Sequence, residues 1–109
     1  MSRSEDEVRV VWVTAPDAET GARIARTVVE ERLVACVNLV PGVRSIYRWE
    51  GQVEEEQEVL LIAKTVASRA TALAARIAQL HPYEVPEVLE LPVGGGSQPY
   101  LDWVREEVA

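Results

Sequence analysis

The sequence carries one cysteine, one histidine and one methionine, and only one of its 11 basic residues, Lys64, is a lysine. A single thiol, Cys36, cannot close an intrachain disulfide, so the fold is expected to stand on its apolar core alone. The polar opening MSRSEDE has no apolar stretch behind it to serve as a secretion signal, which with the free thiol places the expected location in the cytoplasm. So few sulfur and imidazole donors leave little for a soft-metal centre. No apolar run approaches the roughly 18 residues that a membrane helix needs, so no membrane partner is expected. The basic residues form no run and are outnumbered by 18 acids, giving a formal net charge of -7. That argues against a phosphate-tracking surface, and nucleic acid is not an expected partner.

What the sequence does have is 48% apolar residues over a length of 109, enough for one core. The expected organisation is a short disordered tail over residues 1–7 and one domain over 8–109. Val8 to Thr14 is β-branched and almost continuously apolar, as in a central strand. Pro16 and Asp17 then open a helix with Ile24, Ala25, Val28, Val29 and Leu33 at helical spacing. Two β runs follow, Ala35 to Trp49 and Gln52 to Val66, joined at Glu50-Gly51 as in a two-residue hairpin. Ser68 is the expected cap of a second helix that turns Leu73, Ala74, Ile77 and Leu80 inward and ends before Pro82. Val85 to Val93 reads as the fourth strand. After Gly94-Gly95-Gly96, Ser97 is the expected cap of a short terminal helix.

This order, βαββαβ plus a helix, predicts an α+β fold of ferredoxin-like type. In that topology the first and third strands are central, and they are the two that lack internal proline; Pro41, Pro86 and Pro92 fall on the other two, which should be edges. Each arm of the hairpin is about 15 residues, or about 50 Å at the usual rise per residue, against about 35 Å for the diameter of a domain this size. Its tip must overhang. A lone two-stranded ribbon carrying Val43, Ile46, Tyr47 and Trp49 is only marginally stable in water, so an oligomer of closed cyclic symmetry is expected.

The stretches EERLVACVNLVPGVRSIYRWEGQVEEEQEVLLIAKT, LHPYEVPEVLELPV and YLDWV, in this order and spacing, make the chain resemble CutA, the divalent-cation tolerance proteins. The resemblance implies a homotrimer joined through extended hairpin strands, a connection with copper and other divalent cations, and a likeness to PII-type signal proteins, whose ligand sites lie between subunits. Some members have Cys at the position of Val13 and His at that of Leu80. This sequence keeps only His81, so His81 is the one metal-ligand candidate, and the alternative is a histidine that merely closes a helix.

Strand directions put Cys36 and Lys64 at one end of the sheet and His81 at the other, near Val13 to Pro16. One subunit therefore cannot unite Cys36 with His81, which disfavours a Cys/His hydrolase. Cys36 reads either as a small buried apolar group or as part of a site between subunits; Lys64 reads as a solvated strand end or an anion-facing charge. Together with Tyr83, Glu84 and Glu87 they are candidates for an intersubunit cleft, the carboxylates suiting hard cations. The run Glu54-Glu55-Glu56 reads as a solvated face or, clustered in a trimer, as a loose hold for divalent ions, and Tyr47 and Trp49 as anchors of the trimer interface or a stacking platform. The triple glycine lacks the Lys-Ser/Thr of a phosphate loop. The leading expectation is a non-enzymatic trimer concerned with divalent-cation tolerance, with copper or another divalent cation as its ligand. The alternatives are a signalling module that binds a small metabolite between subunits, and a trimeric scaffold for another protein.

Overall fold

The computed structural model describes residues 6–109, so most of the expected tail lies outside the described residues. Its final two positions are tied to the fold: the Glu7 carbonyl accepts from Ala67 N and the Asp6 carbonyl from Arg105 Nε. The elements run β1 (Val8–Ala15), α1 (Ala18–Glu30), β2 (Cys36–Trp49), β3 (Gln52–Val66), α2 (Ala67–Leu80), β4 (Val88–Pro92) and α3 (Gln98–Glu107). They build one antiparallel sheet in the order β2-β3-β1-β4, the ferredoxin-like arrangement. The two strands free of internal proline are central and the others are edges.

Alternation along the strands sorts the two faces of the sheet. Val11, Val13 and Ala15 of β1 and Val59, Leu61 and Ala63 of β3 point to one face, where Ile24, Ala25 and Val28 of α1 and Leu73 and Ile77 of α2 close the core. Val29, expected inward, stays 39% exposed. On the opposite face the described residues cover only one end, where Val104 and Val108 pack on Val8, Ala35 and Val66. The rest of that face is left open.

Two caps differ from expectation. Asp17 does cap α1, its Oδ1 accepting from Thr20 N at 2.8 Å, but Ser68 does not cap α2. β3 runs straight into that helix, so the cap position falls to Val66, which is still paired with Val8 on β1 and offers no side-chain hydrogen bond. The Glu7 carbonyl serves the first helical N–H instead. Ser97 does hold the cap position of α3 but makes no side-chain bond, since Pro99 in the first turn lacks one of the donors it would serve. β4 is also shorter than expected: the ladder with β1 starts at Val88, beyond Pro86, and leaves Val85 to Glu87 as a loop.

Along the hairpin, β1 pairs with β3 only from Val59 to Val66. Beyond Glu58 the hairpin is a bare two-stranded ribbon, and the molecule measures 48 × 25 × 23 Å. A bulge between Val40 and Val43, at Pro41-Gly42, bends β2 where the ribbon leaves the sheet.

Candidate functional site

The overhanging ribbon and the loop after α2 enclose a cleft of about 720 Å³. Its placement follows from where three elements stop. β1 ends at Ala15, which leaves the ribbon unsupported; α2 ends at Leu80, and β4 does not begin until Val88. The segment between, His81 to Glu87, has to cross from the helical layer back to the sheet, and it does so beside the end of β1.

His81 fixes that crossing. It is buried, and its Nε2 lies 2.7 Å from the Thr14 carbonyl oxygen, while its Nδ1 accepts from the Tyr83 N–H at 3.1 Å. A carbonyl oxygen can only accept, so Nε2 carries the proton and the ring is the neutral tautomer. Both nitrogens are thereby engaged, and ligating a metal would require one of them to let go. The Tyr83 ring sits against the imidazole with centroids 4.7 Å apart, and its hydroxyl donates to Glu58 Oε2 on the ribbon at 3.1 Å. Burial first, and the Glu58 carboxylate second, push the Tyr83 phenol up to about 12. Thr14, His81, Tyr83 and Glu58 thus link β1, the loop and the hairpin.

The ribbon's own alternation gives the cleft its charge. In the register Ser45↔Glu56, Tyr47↔Glu54 and Val43↔Glu58, the residues Glu54, Glu56 and Glu58 share the cleft face with Tyr47 and Trp49. Arg44 and Arg48 fall on the other face, where Arg44 pairs with Glu55. Glu84 and Glu87 complete the opposite wall, so among the described residues five carboxylates face the cleft and no basic side chain lines it. Tyr47 titrates above its ordinary range, chiefly through burial and then the Glu56 carboxylate. Among the described residues, however, no three Asp, Glu, His or Cys side chains converge as a preformed metal centre. The negative charge is spread along the walls.

The expected site residues fall into two groups. Tyr83, Glu84 and Glu87 line this cleft together with Tyr47 and Trp49, and His81 braces its floor. Cys36 and Lys64 lie at the far end of the hairpin, opposite one another in the β2–β3 ladder, and the chain does not bring them to the cleft. There the Lys64 Nζ stands 3.4 Å from the Cys36 Sγ and also bonds the Asn38 side-chain oxygen, while the Tyr100 hydroxyl meets the same sulfur at 3.4 Å. That contact, then burial, pushes Tyr100 up to about 12. Sequence reasoning missed Glu58, and it reads Glu54 and Glu56 as part of one consecutive acidic run and Thr14 only as part of the strand end near His81, not as a cleft wall. The signal was present as the alternation of acids at 54, 56 and 58, which the local count of consecutive glutamates hid.

Comparison with known proteins places this geometry. The family described as "CutA1 divalent ion tolerance protein" matches residues 9–107. The chain is 53% identical over 97 residues to the divalent-cation tolerance protein CutA of Thermus thermophilus, covering 89% of this chain and 94% of the relative. It is 50% identical over 99 residues to the human protein CutA, covering 91% of this chain but only 55% of the human one. The crystal structure of CutA from Xylella fastidiosa superposes with a TM-score of 0.92 at 40% identity, covering 94% of this chain and 99% of the other.

Proposed function

The chain belongs to the CutA1 divalent ion tolerance family, and on that premise we propose that it is a non-enzymatic homotrimer that binds divalent cations in the acidic cleft at the base of its hairpin ribbon. The observation that carries this reading is the sorting of charge. Among the described residues five glutamates face the cleft, whereas the arginines of the ribbon, Arg44 and Arg48, face away. Carboxylate and phenol oxygens suit hard divalent cations. Copper(I) is poorly served, because the only thiol is at the other end of the hairpin. Copper(II) gains an imidazole only where His81 gives up one of its two hydrogen bonds, so His81 enters as a conditional ligand.

The trimer is supported by two surfaces that one subunit leaves bare. The ribbon exposes Ile46, Trp49 and Val53, and the open face of the sheet exposes Trp12, Leu89 and Leu91. A neighbour that covers them also brings further groups to a cleft whose own carboxylates do not converge. Cys36, Lys64, Tyr83, Glu84 and Glu87 would come together only across such a boundary. A cytoplasmic location goes with this reading and rests on the free Cys36 thiol.

A second reading, a small metabolite held in the same cleft by a signalling trimer, draws support from the size of the cleft and from Tyr47, Trp49 and Tyr83 in its walls. Titration calorimetry with manganese, zinc, copper(II) and a nucleotide separates the readings. The expected result is cation binding that Glu84→Gln with Glu87→Gln weakens at least tenfold, with His81→Ala weakening copper(II) beyond the loss it causes for manganese and zinc. Binding of the nucleotide but no cation would favour the metabolite. Binding of neither below millimolar concentration would overturn both and leave a scaffold.

A further inference from the structure

The only thiol of the chain faces its only lysine. Cys36 opens β2 and Lys64 is its direct partner on β3, so both side chains leave the sheet on the same face, and the ladder holds their backbones opposite one another. Asn38, two residues along β2 and therefore on that face too, accepts a hydrogen bond from Nζ and keeps the long lysine side chain folded over the sulfur. The Nζ to Sγ distance is 3.4 Å, and the Tyr100 hydroxyl also stands 3.4 Å from the sulfur. Both reacting side chains are half-buried. None of these groups belongs to the acidic cleft.

We propose that Cys36 and Lys64 form a reversible covalent bridge through one oxygen atom, Sγ–O–Nζ, on reaction with dioxygen. Lys64 first gives its third ammonium proton to solvent. The Cys36 S–H bond and one N–H bond of the amine then break, and S–O and O–N bonds form. One atom of dioxygen enters the bridge, and the other leaves as water with the two released hydrogens. Sulfur and nitrogen are each oxidised by two electrons, which matches the four electrons taken up by dioxygen. A dithiol supplies four electrons through two molecules and restores thiol, amine and water. No second cysteine exists to divert Cys36 into an intrachain disulfide. The bridge ties the first residue of β2 to β3 across the whole hairpin, so it resists opening of that ladder, and it removes both the lysine charge and the thiol that Tyr100 now contacts.

The test uses the full chain held in air or under nitrogen at mildly alkaline pH, followed by intact mass, peptide mapping and thiol titration. The expected product in air is heavier by one oxygen less two hydrogens. It joins the peptides that carry residues 36 and 64, shows no free thiol, unfolds at a higher temperature, and reverts with dithiothreitol. Lys64→Arg, which keeps the charge, should yield none of it while its thiol stays titratable. Reductive dimethylation of Lys64 provides the same control in the folded wild-type chain, since the neutral tertiary amine has no N–H to lose. Full retention of the thiol at unchanged mass after exposure to air would overturn the proposal. So would simple addition of oxygen to sulfur, without loss of hydrogen, to equal extents in wild type and Lys64→Arg.

Discussion

The Tyr83 hydroxyl is the point at which the loop after α2 grips the hairpin, and its acidity reports that grip. Burial and the Glu58 carboxylate raise its folded value from the ordinary 10 to about 12. The folded protein therefore keeps this proton at a pH where the unfolded chain has released it. The stabilising contribution is complete below pH 10 and is lost as pH rises from 10 towards 12. Alkaline titration followed by tyrosinate absorbance, together with unfolding curves across that window, should show Tyr83→Phe losing less stability over this interval than wild type. Equal slopes would mean that the hydroxyl is solvated rather than held by Glu58. The neighbouring His81 was legible in the sequence as a group near the end of β1, because helix direction and strand direction fix that end. Its two hydrogen bonds were not legible, since they depend on how far the chain turns between Leu80 and Tyr83. Likewise strand order put Cys36 and Lys64 at one end of the sheet, but their direct pairing depends on register, and Tyr100 reaches the sulfur from α3, whose docking leaves no periodic trace in β2 or β3.

Among the elements, the hairpin was the most readable, because a turn signal between two β-rich arms fixes register as well as existence. Trp49 pairs with Gln52, and the two turn residues both adopt positive φ, Glu50 at 50° and Gly51 at 80°. That is the mirror-image turn whose twist suits adjacent strands, and it favours Asn-Gly over Glu-Gly. Glu50 is therefore strained by its own Cβ. Glu50→Asn should raise stability by up to about 1 kcal/mol, and Gly51→Ala should lower it by about 1–2 kcal/mol, both read from denaturant midpoints. Space around Gly51 is open, so its substitution tests backbone conformation alone. An unchanged midpoint in both variants would show that the turn readily adopts another geometry. Element boundaries were less legible where one element feeds another directly. Ser68 has the chemistry of a cap, but β3 continues to Val66 and the helix begins before a serine cap can form. Val85 has the chemistry of a strand, but β1 has already ended where it would need a partner.

At the scale of the whole molecule, the decisive quantity is apolar surface that one chain cannot cover. The radius of gyration is 14.5 Å, against about 13 Å for a compact domain of this length, and the excess lies in the ribbon. Arm length made that overhang calculable from the sequence. The open sheet face was less evident, because β1 is apolar at almost every position and only the packing of α1 and α2 decides which side is left bare. Trp12 stands on that bare side, 36% exposed, with Leu89 of β4 directly across the ladder at 55% and Leu91 nearby at 40%. On the proposed trimer, copies of the same chain cover this face and the ribbon together, because a cyclic arrangement repeats the contact in every subunit. Trp12→Glu places a charge on this face without touching the core beneath α1 and α2, which is built from Val11, Val13 and Ala15. Light scattering at micromolar concentration should give the mass of three chains for wild type and of one chain for Trp12→Glu, with the circular dichroism spectrum retained. A wild-type chain that is already monomeric would overturn the trimer, and a Trp12→Glu variant that remains trimeric would move the interface from the open face to the ribbon alone.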